Sequence, residues 1–80
     1  MTYNVIYRDI NDGSEWTGDL QDYTRQDVTE MTIDDIIDLY KTAQDVAEHE
    51  ASFMGELFGF GETIVGLVMI GADGRGVRLA

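Results

Sequence analysis

Asp45, His49 and Ser52, three residue types that together build a hydrolytic relay, fall at i, i+4 and i+7 in one stretch of this chain. On a helix that spacing puts them on one face, with the side chains projecting outward side by side. A relay needs a base aimed at its nucleophile, donors for an oxyanion and walls that exclude water. A convex helix face supplies none of these, so no residue is assigned a catalytic role. Asp45 and His49 also offer two ligands to a metal ion, but two do not make a site. Asp9 to Glu15 resembles a calcium loop only in composition: with Gly13 at the sixth position, Arg8 and Ile10 occupy the first and third, where oxygen ligands are required. Gly71, Gly74 and Gly76 lack the spacing of a phosphate or dinucleotide loop, and no helix follows them. Cysteine is absent, which excludes a thiol nucleophile, a thiolate metal site and a disulfide framework. The expectation is a protein with no enzymatic activity, no metal and no cofactor.

Carboxylates are the chemistry that remains. Residues 1 to 50 carry thirteen of them against Arg8, Arg25 and Lys41, a net of −10, whereas residues 51 to 80 carry Glu56, Glu62 and Asp73 against Arg75 and Arg78, a net of −1. A concentrated negative field repels nucleic acid and anionic membrane and attracts basic protein surfaces. With no basic patch, direct binding to nucleic acid is excluded. Acidic excess with a single lysine also suits a halophile's hydrated surface, although that adaptation would spread the acid over the last thirty residues as well. The first ten residues lack a basic region followed by a long apolar run, and Ile64 to Ile70 is too short to span a bilayer. The expected location is the cytoplasm, or a host's cytoplasm if the chain is phage-encoded.

The elements that position these carboxylates are legible in the pattern. Tyr3 to Ile10 alternates as a strand, Asn11, Asp12 and Gly13 supply turn chemistry, and Ser14 to Leu20 returns as a second strand with Glu15, Thr17 and Asp19 opposite Trp16 and Leu20. Residues 21 to 31 are polar and poorly periodic, with Thr24 and Asp27 as a candidate start of a helical turn. Thr32 caps a helix of about twenty residues, with Asp35 at its third position and Met31 and Ile36 at the spacing of a hydrophobic staple. Ile33, Ile36, Ile37, Tyr40, Ala43, Ala47, Ala51 and Met54 mark its apolar side, and it ends near Gly55 or Gly59. Thr63 to Ile70 is a strand apolar in both alternations, and Ala72 to Gly76 turns into a short last strand, Val77 to Ala80. The pattern predicts a single α+β domain over residues 1–80 in the order ββαββ, an antiparallel sheet with one long helix packed on one face.

Helical arithmetic then collects Asp34, Asp38, Asp45 and Glu48 into a narrow arc opposite the apolar stripe, with Asp35 at its margin and Lys41 the lone cation. The arc rises about 21 Å, a length over which one strand of duplex DNA carries about six phosphates. Asp9, Asp12, Glu15, Asp19 and Asp22 on the hairpin, with Asp27 and Glu30, extend the acid into a surface. The predicted partner is the basic surface of a nucleic-acid-binding protein, which these carboxylates would occupy in place of phosphates. In size and charge the chain is similar to phage-encoded anti-defence proteins, among them anti-CRISPRs, the uracil-DNA glycosylase inhibitor and DNA-mimicking antirestriction proteins. That similarity is one of kind and carries over no residue.

Surplus apolar surface supports an alternative. One helix cannot cover both alternations of Thr63 to Ile70, where Ile64, Val68 and Ile70 lie on one side and Val65, Leu67 and Met69 on the other. Unless Trp16, Tyr3 and Phe60 fold over the second face, Phe58, Phe60, Val65, Leu67 and Met69 are candidates for an interface in a homodimeric accessory subunit. In that reading the acid only serves solubility or salt adaptation.

Overall fold

A computed structural model describes residues 2–80. Alternation of Tyr3, Val5 and Tyr7 against Asn4, Ile6 and Arg8 makes Thr2–Asp9 a strand, β1. The chain reverses through Gly13, at φ 75°. The Asp9 carboxylate holds the bend by accepting the Asn11 and Asp12 amides at 2.7 and 3.1 Å. Strand β2, Glu15–Asp19, then pairs antiparallel with β1.

Leu20 does not continue that strand as the alternation predicts. It opens a one-turn helix, α1, Leu20–Thr24, because the Asp19 carboxylate caps the Gln21 and Asp22 amides at 2.8 and 3.3 Å. The helical turn in this segment therefore starts at Asp19, ahead of Thr24 and Asp27. Arg25 ends it in the left-handed region at φ 58°. Val28 then drops into the core while its amide bonds to the Gln21 side chain at 3.2 Å.

Helix α2, Ile33–Phe58, opens on the expected capping box: Thr32 Oγ1 accepts the Asp35 amide at 3.2 Å and the Asp35 carboxylate accepts the Thr32 amide at 3.4 Å. Gly59 closes it at φ 72°, its amide reaching back to the Gly55 carbonyl at 3.1 Å. At 26 residues it is longer than the predicted twenty. No helix among the described residues is long and apolar enough to cross a membrane. Strands β3, Glu62–Ile70, and β4, Gly76–Arg78, complete an antiparallel sheet of order β2-β1-β3-β4, with α2 laid across one face. The last strand is one residue earlier at its start and two shorter at its end than the pattern predicts.

The core lies between α2 and that face. Tyr3, Val5, Tyr7, Ile64 and Leu67 project from the sheet, Ile36, Tyr40, Ala43 and Ala47 from α2, and Leu20 and Val28 seal one end. Each fully buried Leu or Ile contributes roughly 1.5–3 kcal/mol through its removal from water. Trp16 also faces the helix layer, stacking on Tyr7 at 5.6 Å, so neither Trp16 nor Tyr3 folds over the far side of the sheet.

A register shift corrects the expected sides of β3. Ile6 pairs with Gly66 and Tyr7 with Ile64, leaving Val65 as the extra residue of a β-bulge. Ile64 therefore shares the helix-facing side with Leu67 and Met69 and is separated from Val68 and Ile70, which pair beside Asn4 and Thr2 on the open face. Two side chains satisfy carbonyls at this bulge. Gln44 of α2 donates to the Ile64 carbonyl at 3.0 Å, and Arg78 of β4 reaches across the open face to the Val65 carbonyl at 2.9 Å. Gly66 is what lets that guanidinium lie flat: an added Cβ would stand 2.9 Å from Arg78 Nη2 and 2.8 Å from Ile6 Cδ1.

Candidate functional site

The sheet positions α2 so that its alanines face inward and its acid faces outward. Asp34, Asp38, Asp45 and Glu48 are exposed, as is Asp35 at the margin. None of these side chains except Asp35 makes a hydrogen bond or ion pair among the described residues, and the ion pairs there are Arg8 with Glu15 and Arg75 with Asp73. Lys41 thus stands in the row without closing on either Asp38 or Asp45. Because α2 runs on to Phe58, Glu56 joins the same arc, which extends the row from Asp34 to about 33 Å.

The hairpin carboxylates are differently employed. Asp9 holds the β1–β2 bend, Asp12 accepts the Ser14 amide at 2.8 Å, and Asp19 caps α1. The Asp12 carboxyl is held below its ordinary range chiefly by that Ser14 amide. Glu15 is paired with Arg8 at 2.6 Å across the strands. Among the described residues Asp22, exposed in the first turn of α1, offers a side chain with no partner, as does Glu30. Register also places Glu15 and Asp19 on the side of Arg8 and Asn4, the face of the sheet turned away from α2. Glu15 and Asp19 therefore sit on the opposite side of the two-layer fold from the helical row, whereas Asp9 lies near the end of α2 beside Glu50.

Asp45, His49 and Ser52 are exposed on α2 with no hydrogen bond joining them among the described residues. Of the apolar interface candidates, Leu67 is unavailable: it is 0% exposed beneath the helix. Met69 faces the same way and packs against the core, and Val65 is half-buried at the bulge. Leu67 and Met69 turn inward because β3 pairs them with Val5 and Tyr3, and the bulge takes Val65 out of that alternation. Phe58 and Phe60 are exposed, stacked on one another with centroids 5.7 Å apart.

Beside that pair lies a cleft of ≈320 Å³ lined by Asp9, Glu50 and Glu62 together with Ala51, Met54, Phe60 and Gly61. It forms where the hairpin bend docks on the end of α2. The Ile10 amide donates to the Gly61 carbonyl at 3.0 Å, the Asn11 side-chain amide to the Gly59 carbonyl at 2.6 Å, and Ile10 Cδ1 would meet a Cβ at either Gly55 or Gly61 at 3.3 Å. Glu50 and Glu62 have no motif that marks them in the sequence, since only the docking of distant segments brings them together. Their charge reaches inward: burial first, then Glu50 and Glu62, holds the Tyr23 phenol above its ordinary range, and burial, Tyr23 and Glu62 do the same for Tyr7.

No protein-family model matches the sequence, and no curated protein and no solved structure matches it significantly.

Proposed function

We propose that this chain is a small acidic binding protein that uses the outward face of α2 to occupy a basic surface on a nucleic-acid-binding protein, blocking it by competition in the manner of phage anti-defence inhibitors. The observation that carries the reading is the idleness of the carboxylates. Among the described residues Asp34, Asp38, Asp45 and Glu48 cap nothing, pair with nothing and stand exposed in one row, whereas the hairpin acids Asp9, Asp12 and Asp19 hold backbone amides and Glu15 is neutralised. Four like charges along one helix face repel one another and weaken the helix slightly, so their retention in a row is better accounted for by an external cation array than by local stability. Association through such a row is fast and salt-sensitive, because the attraction is screened within about 8 Å at physiological ionic strength.

The test is capture of partners from lysate over a salt series, followed by a competition assay between the captured protein and its own nucleic acid. The wild-type chain should release the nucleic acid. The Asp34→Lys, Asp38→Lys, Asp45→Lys triple variant, checked for helical content, should lose both capture and release. Equal capture by the triple variant at every salt concentration refutes the reading.

A further inference from the structure

The end of α2 carries more exposed apolar surface than the fold can use. Phe53, Leu57, Phe58 and Phe60 are 58, 59, 62 and 55% exposed, with Met54 and Ile10 beside them. This is not a frayed end. The hairpin bend is clipped to the segment after the helix by the Ile10 and Asn11 bonds, and the two phenylalanine rings are stacked. An aromatic surface clipped to the fold in this way loses less freedom on binding than a free chain end, and aromatic side chains are the kind that anchor complexes.

Charge decides what covers it. Asp9, Glu50 and Glu62 line the cleft beside the patch, and no Lys or Arg occurs between Lys41 and Arg75. Nearby Arg8 is engaged by Glu15. A second copy would oppose the same carboxylates with no cation to meet them, and an anionic membrane would be repelled. The adjoining cleft has apolar walls in Met54 and Phe60 and carboxylates in Asp9, Glu50 and Glu62. That arrangement suits the aliphatic stem and charged head of a lysine or arginine.

We infer that the Phe53, Leu57, Phe58 and Phe60 surface anchors a cationic amphipathic segment of a protein partner, apolar side chains over the phenylalanines and a Lys or Arg in the cleft. This surface lies at the end of α2, apart from the Asp34 to Glu48 row, and stands or falls independently of the function proposed for that row.

The probe is a synthetic amphipathic helix of leucine and lysine, titrated into ¹⁵N-labelled protein, with a leucine–glutamate helix and neutral phosphatidylcholine vesicles as parallel arms. Amide shifts should concentrate at Ile10 and from Phe53 to Gly61, and should persist in an Asp34→Asn, Asp38→Asn, Asp45→Asn variant. Phe58→Ser with Phe60→Ser should weaken the lysine peptide at least tenfold with an unchanged far-ultraviolet spectrum. Leu57→Ser, an exposed position on the helix itself, gives a second measure of the same loss. The inference is overturned if shifts concentrate on the Asp34 to Glu48 face or if the serine variants bind equally. Binding of the glutamate helix or the vesicles as tightly as the lysine helix overturns it too, as does self-association of the unmixed chain through these amides.

Discussion

Replacing Gly18 by alanine isolates a single steric contact at the heart of the aromatic cluster. Gly18 lies on β2 opposite Val5, and the Tyr7 ring crosses over it. A Cβ there would stand 2.7 Å from Tyr7 Cε2 and 3.2 Å from its hydroxyl. Tyr7 cannot simply swing aside, because it is stacked on Trp16 at 5.6 Å and meets the edge of Tyr23 at 5.8 Å. Overpacking of this kind costs roughly 1–3 kcal/mol. Relief from glycine's backbone entropy in a strand offsets about 0.5–1 kcal/mol of that. Gly18 has no positive φ, so backbone strain adds nothing. The net is about 1 kcal/mol, a large share of the roughly 3–5 kcal/mol that a core of this size supplies. It should lower Tm by about 4–8 °C. Thermal unfolding followed by far-ultraviolet circular dichroism measures the loss, and Trp16 fluorescence should change in parallel as its stacking partner is displaced. In a Tyr7→Leu background most of the cost should vanish, a coupling that a double-mutant cycle reads directly. A Gly18→Ala protein with unchanged or raised Tm, or one whose loss persists without the Tyr7 ring, would refute the packing argument.

Removing the α2 cap with Thr32→Ala should cost about 1 kcal/mol by denaturant unfolding, since the Asp35 amide loses its acceptor. A loss much below that would mean the capping box does not form in solution. Tyr7, Tyr23 and Tyr40 have phenols held above their ordinary value of 10.0, chiefly by burial. A raised folded value means the stability these groups contribute is fully present below the ordinary value and is lost as pH rises through the raised ones. Phenolate absorbance should therefore show these tyrosines ionising later in the native protein than in denaturant, with unfolding setting in over the same alkaline range. Ionisation at the same pH in both states would contradict the burial of all three.

Much of the architecture is legible because it rests on local chemistry. The Thr32–Asp35 box, the Tyr3, Val5 and Tyr7 alternation and the Asp12–Gly13 bend each act within a few residues, and each element appears where its pattern predicts. Helix α1 escapes because one turn of five residues shows no period, and its start depends on a cap that reads equally well as a strand residue. The inward side of β3 is illegible for a different reason: both alternations are apolar, so only pairing with β1 decides which is buried. Gly66, a glycine inside a strand, is the local trace of the bulge that does so. Charge counting shows how much acid there is but not how it is used. Asp9, Asp12 and Asp19 hold backbone amides, a role fixed by loop geometry, whereas helical spacing correctly places Asp34, Asp38, Asp45 and Glu48 on one exposed arc.

The two sides of the fold differ in charge, and this has a mechanical consequence. The outward arc of α2 carries five carboxylates against Lys41, whereas the open sheet face balances Arg8 and Arg78 against Glu15 and Asp19. Those two faces by themselves make an electric dipole along the normal of the sheet, with its negative end at α2. Near a positive body it experiences a torque as well as a pull, and it turns to arrive helix first. In the docking proposed for α2, the rotational search that ordinarily keeps association well below the rate of collision would be shortened by this charge layout before any contact is made.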